Sequence, residues 1–228
     1  MKAAIAWSLY ASLFAQWSTL FVNFGALNAK LSLKDAVLQS VLWIETIVQV
    51  IELAFYSWYS YYFTTVAEAT FYRYHDWAVT TPLMLFSTMV YYEYQNKPDE
   101  HVTLESFIKE HWVDVLVVAG FNAVMLLFGY LYEVNAIDIW TSQTLGFAGF
   151  AGSFYVMWDT FASKNPANYW LYAFMFVVWA LYGVAAMFTS VWKNVSYNLL
   201  DVVAKNFYGV FLSILIVQRG LSQNSPSD

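Results

Sequence analysis

The segment "LLDVVAKNFYG", residues 199–209, lies inside the last long apolar run of the chain and carries Asp201 and Lys205. The two residues are four positions apart, so they share one face of a helix. An ionisable side chain at membrane depth costs about 2.5–3.5 kcal/mol on insertion scales and is therefore a candidate for function. Two interpretations are open. The pair is either a structural ion pair between helices, or Lys205 is a desolvated amine that can condense with a carbonyl group.

The composition is typical of a membrane protein. Of the 228 residues, 60% are hydrophobic and 11% are charged, whereas soluble domains carry roughly 25% charged residues. A helix needs about 20 apolar residues to cross a bilayer. We therefore predict an all-α membrane protein, a bundle of seven transmembrane helices, with residues 1–221 as one domain and 222–228 as a disordered tail. The predicted spans are 3–28, 36–60, 72–93, 112–132, 139–162, 168–190 and 197–218.

The distribution of basic residues predicts the orientation, because loops on the cytoplasmic side carry an excess of Lys and Arg. Only Lys2 and Lys193 fall on one side of the predicted bundle. The N-terminus is therefore expected outside and the C-terminus in the cytoplasm, in a multi-pass protein of the plasma membrane. The basic residues on the predicted cytoplasmic side are Lys30, Lys34, Lys97, Lys109, Lys164 and Arg219.

Charge and cysteine content exclude several classes of function. The net charge of -6 and the lack of a basic patch argue against nucleic acid as a partner. Because the chain has no cysteine, disulfides and cysteine-based metal sites are excluded. We expect no enzyme activity and no metal site. The lipid bilayer is the expected partner, and further copies of the chain are a candidate partner.

The connection between the third and fourth spans, residues 96–111, contains Thr103, Ser106 and two apolar positions, Phe107 and Ile108. A short amphipathic helix lying on the bilayer fits this pattern. A solvated charged loop fits it equally well.

A second segment, "RYHDWAVTTPL" at 73–83, carries Arg73 and Asp76. It resembles the third helix of microbial rhodopsins, and "LLDVVAK" resembles their seventh helix. The resemblance covers the whole chain in the number, length and orientation of its spans. It implies that all-trans retinal is covalently bound to Lys205 as a protonated Schiff base. It further implies Asp76 as primary counterion and proton acceptor, Asp201 as second counterion, and Arg73 as their compensating cation.

The resemblance also implies the remaining retinal contacts. Aromatic and Met side chains at helical spacing usually belong to an ordinary core, so these assignments depend on the lysine motif. Ala186 stands where a second Trp of the sixth helix is common in the family. The implied contacts are Tyr74, Trp77, Thr80, Thr81, Met125, Gly129, Trp179 and Tyr182.

Retinal binding does not fix function, because pumps, channels and sensors share this fold. An outward proton pump of this family usually has a carboxylate donor eleven residues after the acceptor. Here that position, counted from Asp76, is Ser87. The set Asp76, Thr80 and Ser87 is therefore incomplete for a pump.

The second span favours a channel. Glu45 and Glu52 are seven residues apart, hence two turns and about 10 Å along one helix face. They resemble the pore carboxylates of cation-conducting channelrhodopsins, which also have counterparts of Ser12 and Asn206. We predict that Ser12, Glu45 and Asn206 form a hydrogen-bonded constriction, with Glu52 in the same ion pathway. The alternative is that both glutamates are protonated packing residues.

We therefore predict a light-gated cation channel, opened by photoisomerisation and Schiff-base deprotonation. It would be most similar to viral rhodopsins of the first group and pass small cations such as H+, Na+ and K+. Thr81 and Asn122 resemble the family's pair that joins the third and fourth helices and would set the open time. A light-driven outward proton pump and a slow photosensor are the alternatives.

Overall fold

The computed structural model describes residues 2–63 and 70–224. Within these ranges the chain is helical and contains no β-strand. The seventh helix, α7, is continuous but changes geometry along its length. A π-helical segment lies between two α-helical segments. The helices are α1 (Lys2–Ala26), α2 (Ala36–Tyr61), α3 (Arg73–Asn96), α4 (Leu104–Glu133), α5 (Ile139–Thr160), α6 (Tyr169–Ala186) and α7 (Ser190–Asp201, Val202–Asn206 and Phe207–Asn224).

The predicted all-α bundle of seven helices is confirmed. Four of the helices, α2, α4, α6 and α7, are long and apolar enough to cross a membrane by length and composition alone. The face of α1 that points away from the bundle carries large apolar side chains. Trp7 is 78% exposed, Phe14 74% and Phe21 70%, which suits contact with lipid and would be unfavourable in water.

The end of α7 differs from the prediction. The helix continues to Asn224, so residues 222–224, predicted to belong to a disordered tail, are helical. The remainder of that predicted tail, 225–228, lies outside the described residues. An apolar pattern alone could not place this end, because the last turns of α7 are polar and exposed.

The segment predicted as either a surface helix or a loop is helical from Leu104 onward. Thr103 caps the helix, since its side chain accepts a hydrogen bond from the backbone nitrogen of Ser106 at 3.0 Å. The helix is not a separate element, however. It continues into α4 through a kink at His111, where φ is -121° and ψ is 17°.

The short connection between α4 and α5 is set by two residues with turn chemistry. Asn135 has a φ of 59°, a left-handed conformation that Asn tolerates better than most residues. Asp138 caps α5 by accepting hydrogen bonds from the backbone nitrogens of Trp140 and Thr141. The hydrogen bond from the Thr141 hydroxyl lowers the pKa of the Asp138 carboxyl group below its ordinary value.

The interior of the bundle is divided by polarity. The main apolar core lies toward the end that holds the α1–α2, α3–α4 and α5–α6 connections, and includes Leu38, Tyr92 and Phe154. Buried polar side chains instead concentrate where α1, α2, α3 and α7 face one another. Because buried polar groups persist only when they are paired, this polar interior is the candidate functional region.

Candidate functional site

Three helices bring carboxyl groups to Lys205. Its Nζ lies 3.3 Å from Asp76 Oδ2 on α3 and 3.4 Å from Asp201 Oδ1 on α7, and it contacts Glu52 on α2. All four residues are buried. The predicted grouping of Lys205 with Asp76 and Asp201 matches this geometry. Glu52 differs from its predicted place in an ion pathway with Glu45, because its side chain is part of the lysine cluster.

Asp201 is held by donors from three other helices. Its Oδ2 accepts a hydrogen bond from Tyr56 at 2.7 Å and one from Arg73 Nη1 at 3.3 Å, and its Oδ1 accepts one from Tyr182 at 2.7 Å. These donors hold the carboxyl group of Asp201 in a fixed orientation. Tyr182 was predicted as a retinal contact only, and its bond to Asp201 could not be deduced from spacing.

Arg73 closes the cluster on the side of the α2–α3 connection. Its guanidinium group donates to the side chains of Asn194 and Asn198 on α7, and it lies 5.2 Å from the ring centroid of Tyr59. The prediction did not include these asparagines. Asn194, Asn198 and Asp201 are separated by four and then three residues, so they share one face of a helix. This polar face of α7 was detectable in the sequence.

The charges of this cluster do not cancel. Two cations, Lys205 and Arg73, face three carboxyl groups, those of Glu52, Asp76 and Asp201. An uncompensated charge is very costly in a low-dielectric interior. Charge balance therefore requires one proton on the three carboxyl groups, and the cluster can hold and exchange a proton beside the lysine.

A largely apolar cavity adjoins Lys205. Its wall is mostly hydrophobic and aromatic, as is usual for small-molecule sites. Among the described residues, Lys205 is the only charged one in its wall. The lining residues are Tyr74, Trp77, Thr81, Met84, Met125, Leu126, Gly129, Ser142, Gln143, Gly146, Phe147, Phe150, Trp179, Tyr182, Gly183, Ala186, Tyr197, Ala204 and Lys205.

Most of the predicted pocket residues line this cavity, and Thr80 does not. Its hydroxyl group donates to the backbone oxygen of Asp76 at 3.1 Å. Trp77 is fixed by edge-to-face contacts with Tyr182 and Tyr197, at centroid distances of 5.3 and 5.0 Å. The prediction omitted Tyr197 and the whole contribution of α5, which presents no charged residue to the cavity that could set its register.

Gly129 explains how Tyr74 reaches the cavity. A Cβ atom at position 129 would lie 2.6 Å from the Tyr74 hydroxyl oxygen, which is too close for any real contact. The absence of a side chain at 129 therefore lets the ring of Tyr74 pack against the backbone of α4.

The family relationship follows from comparison with known proteins. A family model described as bacteriorhodopsin-like protein matches residues 4–218. The chain belongs to this family of microbial rhodopsins. Viral rhodopsin OLPVRII is 30% identical to it, over 94% of this chain and 98% of that one, with a TM-score of 0.82. The predicted similarity to microbial rhodopsins, and to viral ones in particular, is confirmed.

More distant structures share the fold. The blue light-absorbing proteorhodopsin from Med12 is 17% identical, over 94% of this chain and 97% of that one, with a TM-score of 0.72. Halorhodopsin, a light-driven chloride pump, is 14% identical, over 97% of both chains, with a TM-score of 0.69. No curated protein gives a significant sequence match. Since these rhodopsins differ in function, membership does not choose among channel, pump and sensor.

Membership implies a retinal chromophore, and the residues fit one. The cavity is apolar along most of its wall and reaches an amine, Lys205. Near that amine, Asp76 Oδ1 makes no hydrogen bond among the described residues, and the carboxyl group of Glu52 contacts the amine itself. These acceptors suit a positively charged nitrogen at the end of an otherwise apolar ligand.

The predicted constriction of Ser12, Glu45 and Asn206 does not form. In the described part of the chain no hydrogen bond joins these three side chains to one another. Ser12 donates to the backbone oxygen of Asn198 at 2.7 Å, and Glu45 accepts a hydrogen bond from Ser87. The sequence pattern placed the residues on the correct helices but could not give their relative heights along the bundle.

A different polar layer surrounds Asn206. Its Nδ2 lies 2.8 Å from Thr19 Oγ1 and 3.2 Å from Gln16 Oε1, and Gln49 donates to Gln16. We call Gln16, Thr19, Gln49 and Asn206 the polar layer. All four are buried, and they join α1, α2 and α7 one residue beyond Lys205.

The polar layer is part of a longer seam along α1. The seam consists of buried polar side chains that recur every three or four residues, so they share one helix face. Near one end, Asn198 donates to Ser8 at 2.8 Å, and near the other Asn23 and Ser213 are hydrogen-bonded at 3.0 Å. The members on α1 are Ser8, Ser12, Gln16, Thr19 and Asn23.

Thr81 and Asn122 are in contact, as the predicted pair requires. Asn122 Nδ2 donates to Thr81 Oγ1 at 2.8 Å, and Thr81 donates to the backbone oxygen of Trp77 at 2.7 Å. The pair joins α3 to α4 at the wall of the cavity. Its influence on the open time stays a prediction.

Proposed function

We propose that this microbial rhodopsin is a light-gated cation channel with all-trans retinal attached covalently to Lys205. The observation that carries the proposal is the polar seam between α1, α2 and α7, which is closed by direct hydrogen bonds at the polar layer. Buried polar side chains along the full length of a transmembrane helix are costly and are typical of an ion or water path.

The residues around Lys205 hold and move its proton. Bound there, retinal supplies absorption of visible light and a change of shape. Asp76, Asp201 and Glu52 hold the positive charge of the lysine nitrogen, and Asp76 is the proposed proton acceptor. Asp201 is already saturated by Tyr56, Tyr182 and Arg73, whereas Asp76 Oδ1 has no hydrogen-bond donor among the described residues. Asp76 therefore has a free oxygen that can accept a proton.

The polar layer is the proposed gate. Asn206 follows Lys205 directly in the π-helical segment, so a displacement of the Lys205 backbone moves Asn206 as well. Gln16 Nε2 and Asn206 Oδ1 are buried without a hydrogen-bond partner among the residues that the structure describes. An unsatisfied buried polar group costs about 1–3 kcal/mol. A small opening that admits water would recover this cost and hydrate the path.

The charge of the seam favours cations. On α2, Glu45 lies four residues before Gln49 of the polar layer, and carboxylates lining a pore select cations over anions. We therefore propose that small cations such as H+, Na+ and K+ pass through the seam.

Whole-cell patch-clamp recording under illumination tests the channel function. The proposal predicts light-induced currents that reverse sign near the equilibrium potential of the permeant cation. Asn206→Ala should change the size or selectivity of the current, because it removes the donor that closes the polar layer. Ser153→Ala is the matched control, since Ser153 is a buried polar residue of α5 that bonds Val118 outside the seam. Currents of one sign at all voltages would contradict the channel.

One observation favours an outward proton pump as the second candidate. Glu45 accepts a hydrogen bond from Ser87, the residue that occupies the usual donor position on α3. A carboxyl group therefore lies at the height where a pump needs its proton donor, although it is supplied by α2. The pump predicts outward proton flux against a gradient and, in Glu45→Gln, slower recovery of the pigment after a flash.

Assignment to viral rhodopsins of the first group, a slow photosensor role, location in the plasma membrane and assembly into homo-oligomers stay predictions. The orientation with the N-terminus outside is also a prediction.

A further inference from the structure

A compact group of ionisable residues lies at the α3–α4 end of the bundle, away from Lys205. It consists of Glu93 near the end of α3, Glu110 and His111 on α4, and Lys97 between them. The carboxylate oxygens of the two glutamates and a ring nitrogen of His111 lie within 4.8 Å of one another. Neither the chromophore site nor the polar layer uses these residues.

The His111 ring has an unpartnered nitrogen directed at the carboxyl groups. Its Nδ1 lies 3.2 Å from Asp114 Oδ2. Because a carboxylate only accepts, Nδ1 carries a proton, and in the neutral imidazole Nε2 then keeps its lone pair. Nε2 is 3.5 Å from Glu93 Oε1 and 3.6 Å from Glu110 Oε1, yet makes no hydrogen bond among the described residues. His111 is 8% exposed.

The kink in α4 makes this arrangement available. Adjacent residues of a regular helix point in different directions, but the backbone of His111 is non-helical, and its Nε2 lies 3.6 Å from Glu110 Oε1. The ring is then fixed by Phe107 and Phe161, at centroid distances of 5.2 and 4.8 Å. The geometry is therefore built into the backbone and the packing.

A histidine whose second ring nitrogen is bound by a carboxylate is the usual arrangement of a metal ligand, because the carboxylate fixes the tautomer and orients the ring. One imidazole and two carboxylates are donors suited to Zn²⁺, with water completing its coordination. We propose that Glu93, Glu110 and His111 form a divalent metal site, for Zn²⁺ in particular, with Asp114 as the positioning residue of the histidine.

Lys97 is the cation that Zn²⁺ would replace. Its Nζ lies 2.7 Å from Glu93 Oε1 and 2.8 Å from Glu110 Oε2. The Lys97 side chain is 27% exposed, so it can move into solvent when the metal binds. Bound Zn²⁺ would link the end of α3 to the start of α4.

Calorimetric titration of Zn²⁺ into the full-length pigment in lipid nanodiscs, after removal of metals with a chelator, tests the site. The proposal predicts saturable binding. Asp114→Asn should weaken it by about 10–100-fold, the usual effect of losing such a supporting carboxylate, and Glu110→Gln at least as much. Lys97→Met should strengthen binding, because it removes the competing cation.

Glu105→Gln is the matched control. Glu105 is an exposed glutamate of the same helix that pairs with Lys109 at 2.6 Å, and its replacement should leave Zn²⁺ affinity unchanged. Glu110 is itself half-exposed, and an unchanged circular dichroism spectrum of Glu110→Gln verifies its fold. Failure of the wild-type protein to bind Zn²⁺, or equal affinity in wild type and Glu110→Gln, would overturn the site. Unchanged affinity in Lys97→Met would overturn the exchange with Lys97.

Discussion

At the scale of single residues, the two glutamates of α2 have different surroundings although the sequence presents them as a pair. Glu52 contacts Lys205, whereas Glu45 is bonded to Ser87. Seven residues separate them, about 10 Å along the helix axis at 1.5 Å per residue. The spacing of the two glutamates correctly predicted that they share one face of α2. The contacts of each carboxyl group depend on where α3 and α7 lie beside that face.

This difference predicts distinct spectra for matched variants. Glu52→Gln removes a negative charge beside the lysine nitrogen, where it stabilises a positive charge by Coulomb attraction. We expect the visible absorption maximum to move to longer wavelength. Glu45→Gln, on the same helix but at a carboxyl group bonded to Ser87 and not in contact with Lys205, should move the maximum less. Equal spectra of the Glu52→Gln and wild-type pigments would contradict the place of Glu52 in the cluster.

Gly129 gives a prediction for stability. Gly129→Ala places a methyl group against Tyr74, and overpacking of this kind costs about 1–3 kcal/mol. Gly120→Ala is the control on the same helix, because a Cβ there meets nothing within 4 Å. In a helix interior that change should stabilise by about 0.5–1 kcal/mol. The free energy of unfolding in mixed detergent micelles measures both, and similar values for the two variants would refute the close approach of Tyr74.

At the scale of elements, α7 departs from regular α-helical geometry at the residues that join the lysine cluster to the polar layer. Residues Val202–Asn206 are π-helical and contain both Lys205 and Asn206. π-Helical segments occur mostly inside α-helices and frequently at functional sites. No local pattern in the sequence predicts this one, because it depends on how the side chains of α7 meet α1, α2 and α3.

The link between α3 and α4 is testable by a double-mutant cycle. Thr81→Val and Asn122→Leu each break the hydrogen bond of 2.8 Å between the two side chains. If the pair sets the lifetime of the conducting state, the two single variants and the double variant should alter photocurrent decay to a similar extent. Effects that multiply independently would show that the hydrogen bond does not control the decay.

At the scale of the whole molecule, the sequence was sufficient for the seven-helix bundle and for the lysine with its two aspartates. Apolar length predicted the spans, and two charged motifs predicted which helices meet at Lys205. Contacts that need the relative heights of helices were not predictable, as Ser12, Glu45 and Asn206 show. Neutral polar residues such as Gln16 and Gln49 were overlooked because they carry no charge, although their spacing on α1 and α2 was visible.

The orientation of the whole bundle is predicted only from the distribution of basic residues. Since the chain has no cysteine, single cysteines can be introduced without background. His101 and Ala136 are exposed in the connections that precede and follow α4. A membrane-impermeant maleimide should label Ala136→Cys in intact cells and His101→Cys only after permeabilisation. The reverse pattern would place the N-terminus in the cytoplasm.

The most direct test of the account is the visible spectrum of Lys205→Ala. Wild-type protein and the variant are both expressed and supplied with all-trans retinal, and Lys109→Ala, an exposed lysine on α4, serves as the control. The account predicts a visible absorption band in wild type and Lys109→Ala and none in Lys205→Ala, because only the buried amine at the cavity can bind the chromophore covalently. An unchanged band in Lys205→Ala would contradict it.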